Sequence, residues 1–314
     1  MNRRSAIRAL LMTGAGSILS RAFADTPRGE APGFVIRSDV RLVLLDVSVK
    51  DRAGGFVSGL SRDDFRVDEN GTPQNITVFA DSDVPVTVGL LVDNSRSMLP
   101  KRDEVLVAAT TFIQESNPRD EIFVLNFNDT VKRGLPSDML FSDDVQQLRA
   151  AISHGIPEGR TALNDAVIDG LEQLEKGRRD KKTLVLISDG GDNASHHTRK
   201  QMLAAVERSI ATIYTIGLFD ALDPDRDLGI LKKLARISGG EPFFPTDGKA
   251  LIEVCRGIAK DIRTRYTVGY IPEASNGGPV RHIHVHVSAP GRATLTARTR
   301  STYIYDEASN EKGG

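Results

Sequence analysis

Val86-Thr87-Val88-Gly89-Leu90-Leu91-Val92-Asp93-Asn94-Ser95-Arg96-Ser97 is the stretch on which the fold turns. Val86–Val92 is almost continuously apolar, as expected of a strand covered on both faces. Pro85 stands just outside it, where a missing N–H does least harm to the ladder. The run stops abruptly at polar Asp93–Ser97. A helix is then expected from Asp103 to Glu115, with Val105, Ala108, Ala109, Phe112 and Ile113 on one side.

The alternation continues downstream. Glu121–Phe127 and Thr130–Leu135 read as strands across a tight Asn128-Asp129 turn. Ser142–Ser153, with Ser142 as N-cap, and Thr161–Glu175 read as helices. Thr183–Ile187 is a second buried strand. Helices over Thr198–Ser209, Asp225–Ile237 and Gly248–Arg263 are interleaved with strands over Thr212–Leu218 and Glu241–Phe244. Strands alternating with helices predict an α/β fold with a doubly wound, mostly parallel, Rossmann-like sheet and helices on both faces.

Both flanks read as β. Val40–Val49 is a strand with a phase shift near Leu44-Leu45 that suggests a bulge. Phe65–Asp68 and Asn75–Phe79 alternate on either side of Asn70-Gly71, a hairpin signal. After the last helix, Tyr266–Tyr270 is a strand, and Arg281–Ser288 and Ala293–Thr299 are expected to form a hairpin about Ala289–Arg292. Each flank is too small to close a core alone. The α/β part (84–263) is therefore expected to be inserted into a small all-β, sandwich-like domain built from 38–82 and 264–305.

Met1–Arg8 is basic, Ala9–Leu19 is largely apolar and Ala22-Phe23-Ala24 is a small-x-small cleavage pattern, so 1–24 reads as an export signal. Arg3-Arg4 raises the twin-arginine route beside the ordinary secretory one. A linker (25–37) follows, and a polar tail (306–314) is expected to be disordered. The predicted location is periplasmic or extracellular, with no stable membrane anchor after cleavage. Lys+Arg is 41 against Asp+Glu 42, so no bulk field attracts nucleic acid. The chain has no Trp, which also argues against a stacking platform for single strands. The single cysteine, Cys255, has no internal partner for a disulfide and reads as a core residue.

Three separated pieces end strands or open helices: Asp93-x-Ser95-x-Ser97, Thr161 within Gly159-Arg160-Thr161, and Asp189 within Ile187-Ser188-Asp189-Gly190. Their side chains offer oxygen alone, which selects a hard cation, Mg²⁺ first, then Mn²⁺ or Ca²⁺. Open α/β sheets place ligands beyond the carboxyl ends of their strands, where these pieces should meet. Separately, each hydroxyl is explained as a helix cap and Asp189 as a strand end; their joint placement is not. Asp192 and Asn193 either brace the site by hydrogen bonds or are ordinary loop residues.

The strand, Asp-x-Ser-x-Ser and helix sequence, with Thr161 and Asp189 in order, resembles the metal-ion-dependent adhesion site of von Willebrand factor A (VWFA) domains over Val84–Arg263. The flanks resemble a bacterial family of exported A-domain-related proteins. The resemblance implies that Ser95 and Ser97 bind the cation directly, and Thr161 directly or through water. It implies that Asp93 and Asp189 bind directly or through water and hold the hydroxyls, with a remaining position open to a carboxylate of a partner protein. Arg96 departs from the pattern, because glycine is usual there. If a positive φ were required, arginine would be strained.

Other readings compete. A Mg²⁺-dependent phosphohydrolase would need an acid two residues after Asp93, where Ser95 stands. Neither a Gly-x-Ser-x-Gly elbow nor a phosphate-binding Gly-x-x-x-x-Gly-Lys-Ser/Thr loop occurs. A structural or assembly module with a merely stabilising metal is the third reading. His282, His284 and His286 alternate along one strand face, with the outer pair roughly 13 Å apart, too far for one ion. They read as a solvated face opposite Ile283, Val285 and Val287. His196-His197 read as a solvated loop that could rim the metal site.

Overall fold

In the computed structural model, the described residues are 42–219, 226–273, 278–292 and 294–305. The expected signal peptide, linker and tail lie outside them. The chain runs through β1 (Val43–Lys50), β2 (Phe65–Glu69), β3 (Thr72–Gln74), β4 (Ile76–Ala80) and β5 (Val86–Asp93) before α1 (Arg102–Glu115). It continues through β6 (Glu121–Phe127), β7 (Val131–Arg133), α2 (Val145–Ile152), α3 (Leu163–Leu174), β8 (Lys181–Ser188), α4 (Arg199–Arg208), β9 (Thr212–Gly217) and α5 (Leu228–Ser238). Last come β10 (Pro242–Phe243), α6 (Gly248–Thr264), β11 (Tyr266–Tyr270), β12 (Val280–Val287), β13 (Thr296–Arg298) and β14 (Thr302–Ile304).

β5, buried along its whole length, lies at the middle of a sheet ordered β10-β9-β8-β5-β6-β7. All its pairings are parallel except β6 with β7. Helix α1 packs against α2 and α6, while α4 packs against α3 and α5. This is the mostly parallel, helix-flanked sheet that the apolar run at Val86 predicts. Asp120, in the turn before β6, accepts the Val86 N–H at 2.7 Å and so satisfies the first donor of β5. Gly89 sits where any side chain would collide, since a Cβ there would lie 2.4 Å from the Phe123 ring and 2.5 Å from Leu184.

Two antiparallel sheets, β13-β1-β11-β4 and β14-β12-β2-β3, draw strands from both flanks. Their shared core holds Leu45, Val47, Phe65, Val67, Tyr266, Val268 and Ile283, separate from the core around β5. Asn70 and Gly71, both at positive φ, turn β2 into β3. That pairing is short. At Asn75 the chain leaves the sheet and β4 pairs instead with β11, so Ile76–Phe79 is not the second arm of the hairpin.

Other local expectations are corrected. β12 and β13 form no hairpin: β12 pairs with β2 and β14, and β13 pairs with β1, so the two strands belong to different sheets. The bulge expected near Leu44-Leu45 is absent from the β1–β11 pairing, which runs in continuous register; a register shift occurs instead between β11 and β4, where Gly269 faces Val78 and Tyr270 faces Ile76, skipping Thr77. Ser142 is not the cap of α2. Its backbone pairs with Ile122, its hydroxyl accepts the Asp144 N–H at 3.1 Å, and Asp144 caps by accepting from Gln147 N.

Candidate metal centre

β5 and β8 are parallel neighbours in register, so their carboxyl ends deliver Asp93 and Ser188-Asp189 to one edge. Asp93 is 2 % exposed and Asp189 3 % exposed. The Asp93 carboxylate accepts from Ser95 N at 2.8 Å through Oδ1 and from Ser188 Oγ at 2.6 Å through Oδ2. The Asp189 carboxylate accepts from Ser97 Oγ through Oδ2 and from Gly191 N at 3.0 Å through Oδ1. Ser95 Oγ and Ser97 Oγ are 3.1 Å apart and share a hydrogen bond. The first and third sequence pieces are therefore one hydrogen-bonded cluster.

Thr161 arrives differently. It lies in the loop before α3 rather than in the helix, with Ala162 at the cap position. The loop is pinned by backbone bonds from Glu158 N to Asn94 O and from Arg96 N to Gly159 O. Its other tether is Asn193, whose side chain accepts the Thr161 N–H at 2.9 Å while Asn193 N and Ala194 N donate to Thr161 O. Asp192 accepts from Asn164 Nδ2 at 2.6 Å and from Ser195 Oγ. Asp192 and Asn193 thus bind the loop after β8 to the start of α3.

Arg96 is exposed and opens a 3-10 turn, Arg96–Lys101. Gly159 and Gly190 take positive φ nearby, and Arg96 does not, so a side chain is tolerated there without backbone strain. Gly190 has no such latitude. Its φ is +85°, and a Cβ would lie 2.4 Å from the Asp227 carbonyl oxygen. Gly190→Ala is expected to cost at least about 2 kcal/mol from the left-handed backbone and the backbone clash together. Urea denaturation measures it, and a loss below about 0.5 kcal/mol would show that the loop relaxes freely.

Burial, then the neighbouring Asp189 charge, pushes the Asp93 carboxyl up to about 7 despite its hydrogen bonds from Ser188 and Ser95. Two buried carboxylates held against each other want a positive charge between them. The surrounding donor set of hydroxyl and carboxylate oxygens fits a hard cation. No group of three or more His, Cys, Asp or Glu placed to hold a metal ion occurs among the described residues. The candidate set has two carboxylates and three hydroxyls, so it falls outside that pattern.

Sequence reasoning missed two features. Ser188 bridges Asp93 and Gly190 N, the latter at 3.0 Å; its position before Asp189 was the available signal. His196 and His197 are exposed, as the solvated-loop reading expects, but the sequence did not show that their backbone N–H groups and Nδ1 atoms converge on Asp165 at 2.8–3.2 Å. Burial opposes ionisation of Asp165, yet these bonds bring its carboxyl down to about 2. The histidine row on β12 alternates exposed with buried as expected, and His286 Nε2 lies 3.2 Å from Asp68. Cys255 is buried, which pushes its thiol up to about 12.

A family model described as von Willebrand factor type A domain matches residues 88–191, a span that includes all five candidate ligands. The chain contains a type A domain. A type A structure from Catenulispora acidiphila is 15 % identical, with TM-score 0.50, covering 87 % of this chain and 76 % of that one. The PilB minor pilin of Streptococcus sanguinis, as a D319A mutant, is 14 % identical, with TM-score 0.46, over 59 % of this chain and 63 % of the pilin. Proximal thread matrix protein 1 from the mussel byssus is 14 % identical, with TM-score 0.47, over 62 % and 51 %. This chain thus spans under two thirds of the pilin and about half of the byssus protein. A comparison with curated proteins gives no match. No helix among the described residues is long and apolar enough to cross a membrane.

Proposed function

We propose that the type A domain binds Mg²⁺ through Asp93, Ser95, Ser97, Thr161 and Asp189, and through it the carboxylate of a partner protein. The observation that carries this reading is the buried Asp93–Asp189 pair laced to Ser95 and Ser97 at the sheet edge. The hydroxyls of Ser95, Ser97 and Thr161 would hold the cation. The aspartates would orient the hydroxyls and supply negative charge. The cation supplies Lewis acidity toward an incoming carboxylate oxygen. Mn²⁺ or Ca²⁺ would substitute on the same donor chemistry.

Type A domains serve as protein-interaction modules, and that coarser role agrees with this site. Binding is favoured over catalysis because Ser97 donates to Asp189 and Ser95 pairs with Ser97. Among the described residues neither serine is hydrogen-bonded to an imidazole base. The binding unit is read as 84–263, carried on the β segments 38–82 and 264–305. The Met1–Ala24 signal pattern favours action in the periplasm or outside the cell.

Calorimetric titration with Mg²⁺ is expected to show saturable binding, weakened at least about tenfold in Asp93→Ala. Immobilised protein should capture an envelope partner with Mg²⁺, and not with EDTA or as Asp93→Ala. Equal capture in all three arms defeats the metal-dependent reading. Lost stability with EDTA but unchanged capture would instead favour a structural metal.

A further inference from the structure

A cleft of about 550 Å³ lies away from the metal centre, between α5 and the strands β12 and β13. The carboxyl ends of β5 and β8 carry Asp93 and Asp189, whereas this cleft reaches Gly240, on the amino side of β10. Its volume is in the range of small-molecule pockets. Pro242, Ile283, Val285 and Ala297 supply an apolar lining. Lys232, Arg236, His284, Arg298 and Arg300 supply the basic groups, and none of the lining residues is acidic.

The positive charge is only partly matched. Arg298 is neutralised by Glu241 and Asp261, and Glu241 also pairs with Lys50. The Arg300 guanidinium donates to the carbonyls of Thr302, Glu207 and Ser209, which carry no formal charge. Lys232 and Arg236 lie one turn apart on α5, both exposed, and neither has a carboxylate partner among the described residues. Lys232 Nζ is 5.4 Å from the centroid of the Phe244 ring. Two buried polar atoms of lining residues, Arg298 Nε and Thr299 Oγ1, have no hydrogen-bond partner among the described residues. Such atoms are costly unless something else satisfies them.

We propose that this cleft binds a small organic anion, with its carboxylate, sulfonate or phosphate toward Lys232, Arg236 and Arg300 and its apolar body against Ile283 and Val285. The combination of an apolar wall with lining cations that no carboxylate matches discriminates against two simpler ligands. A bare inorganic anion would leave the wall wet, and a neutral apolar molecule would leave the cations unmatched. The site is separate from the cation centre and does not depend on it.

The test uses 2-naphthoate as the amphipathic anion, 2-naphthalenemethanol as its neutral counterpart and inorganic phosphate as the charge without the body. Binding is followed by NMR chemical-shift titration of the full chain in EDTA, which keeps the metal centre out of the readout. The expected result is saturable 2-naphthoate binding with shifts at Ile283, Val285 and Ala297, and at least about tenfold weaker binding of both controls. Lys232→Glu/Arg236→Glu is expected to weaken 2-naphthoate at least about tenfold, and Lys232→Gln/Arg236→Gln by an intermediate factor. Both positions are exposed, and an unchanged melting temperature verifies that the variants fold. The proposal is overturned if the wild-type protein does not bind 2-naphthoate, if phosphate binds as tightly, or if both folded variants bind like wild type.

Discussion

Replacing Asp261 with alanine is expected to lower the stability of the protein by about 3–5 kcal/mol. Asp261 lies in α6 and is 1 % exposed. Its carboxylate accepts from Ser48 Oγ in β1, from Tyr214 OH in β9 at 2.7 Å and from Arg298 Nη2 in β13 at 2.7 Å. Arg265, nearly as buried, reaches it at 3.5 Å and also binds Tyr214 OH, Thr212 Oγ1 and Gly239 O. Burial alone would raise the Asp261 carboxyl; Arg265 and Arg298 outweigh it and hold it below its ordinary value. Alanine removes the anion and leaves the Arg265 cation in a low-dielectric interior, which costs more than the lost hydrogen bonds themselves. The cluster joins the last helix, the parallel sheet and an antiparallel sheet, so the loss should appear as one shifted cooperative transition. Urea denaturation should give a lower midpoint at unchanged slope. A change below about 1 kcal/mol would mean that water or a neighbouring group replaces the carboxylate.

Glu69→Ala should be comparably severe, again about 3–5 kcal/mol. Glu69 and Arg281 both have fully buried side chains, with Arg281 Nη1 3.4 Å from Glu69 Oε1. Tyr270 OH and Tyr303 OH donate to Glu69 Oε2 at 2.6 and 2.7 Å. Tyr270 belongs to β11 and Glu69 to β2, so this carboxylate links the two antiparallel sheets. Burial and the bond to Glu69 raise the Tyr270 phenol well above its ordinary value, so it remains a donor. Tyr270→Phe, which deletes one donor and spares the charge pair, should cost less, about 1.5–3 kcal/mol. If thermal unfolding ranks Tyr270→Phe above Glu69→Ala, the ion pair is not the main tie between the sheets.

The parallel sheet was legible because β5 and β8 are buried along nearly their whole length and so read as apolar runs. The cluster at its edge was legible because Asp93, Ser95, Ser97 and Asp189 sit where those runs stop. The path of Thr161 was not, because its position depends on Asn193 and on backbone bonds to a distant loop. Strand partners in the flanks were also hidden. Alternation shows which side of β12 is buried, but β12 and β13 enter different sheets for reasons set by long-range pairing. Neither buried ion network had a local signature: Ser48, Tyr214, Asp261 and Arg298 meet only in three dimensions.

Ala80 and Thr267 are directly opposite one another in β4 and β11. Everything from β5 to α6 therefore departs from and returns to one spot in the antiparallel sheet. For an extended chain, bringing those two ends together carries the entropy cost of a very long loop. Once the parallel sheet and its helices have formed, that loop is already closed. The β4–β11 pairing then costs little more than a local turn would, so the folded insert acts as the connector that makes its host sheet affordable to assemble.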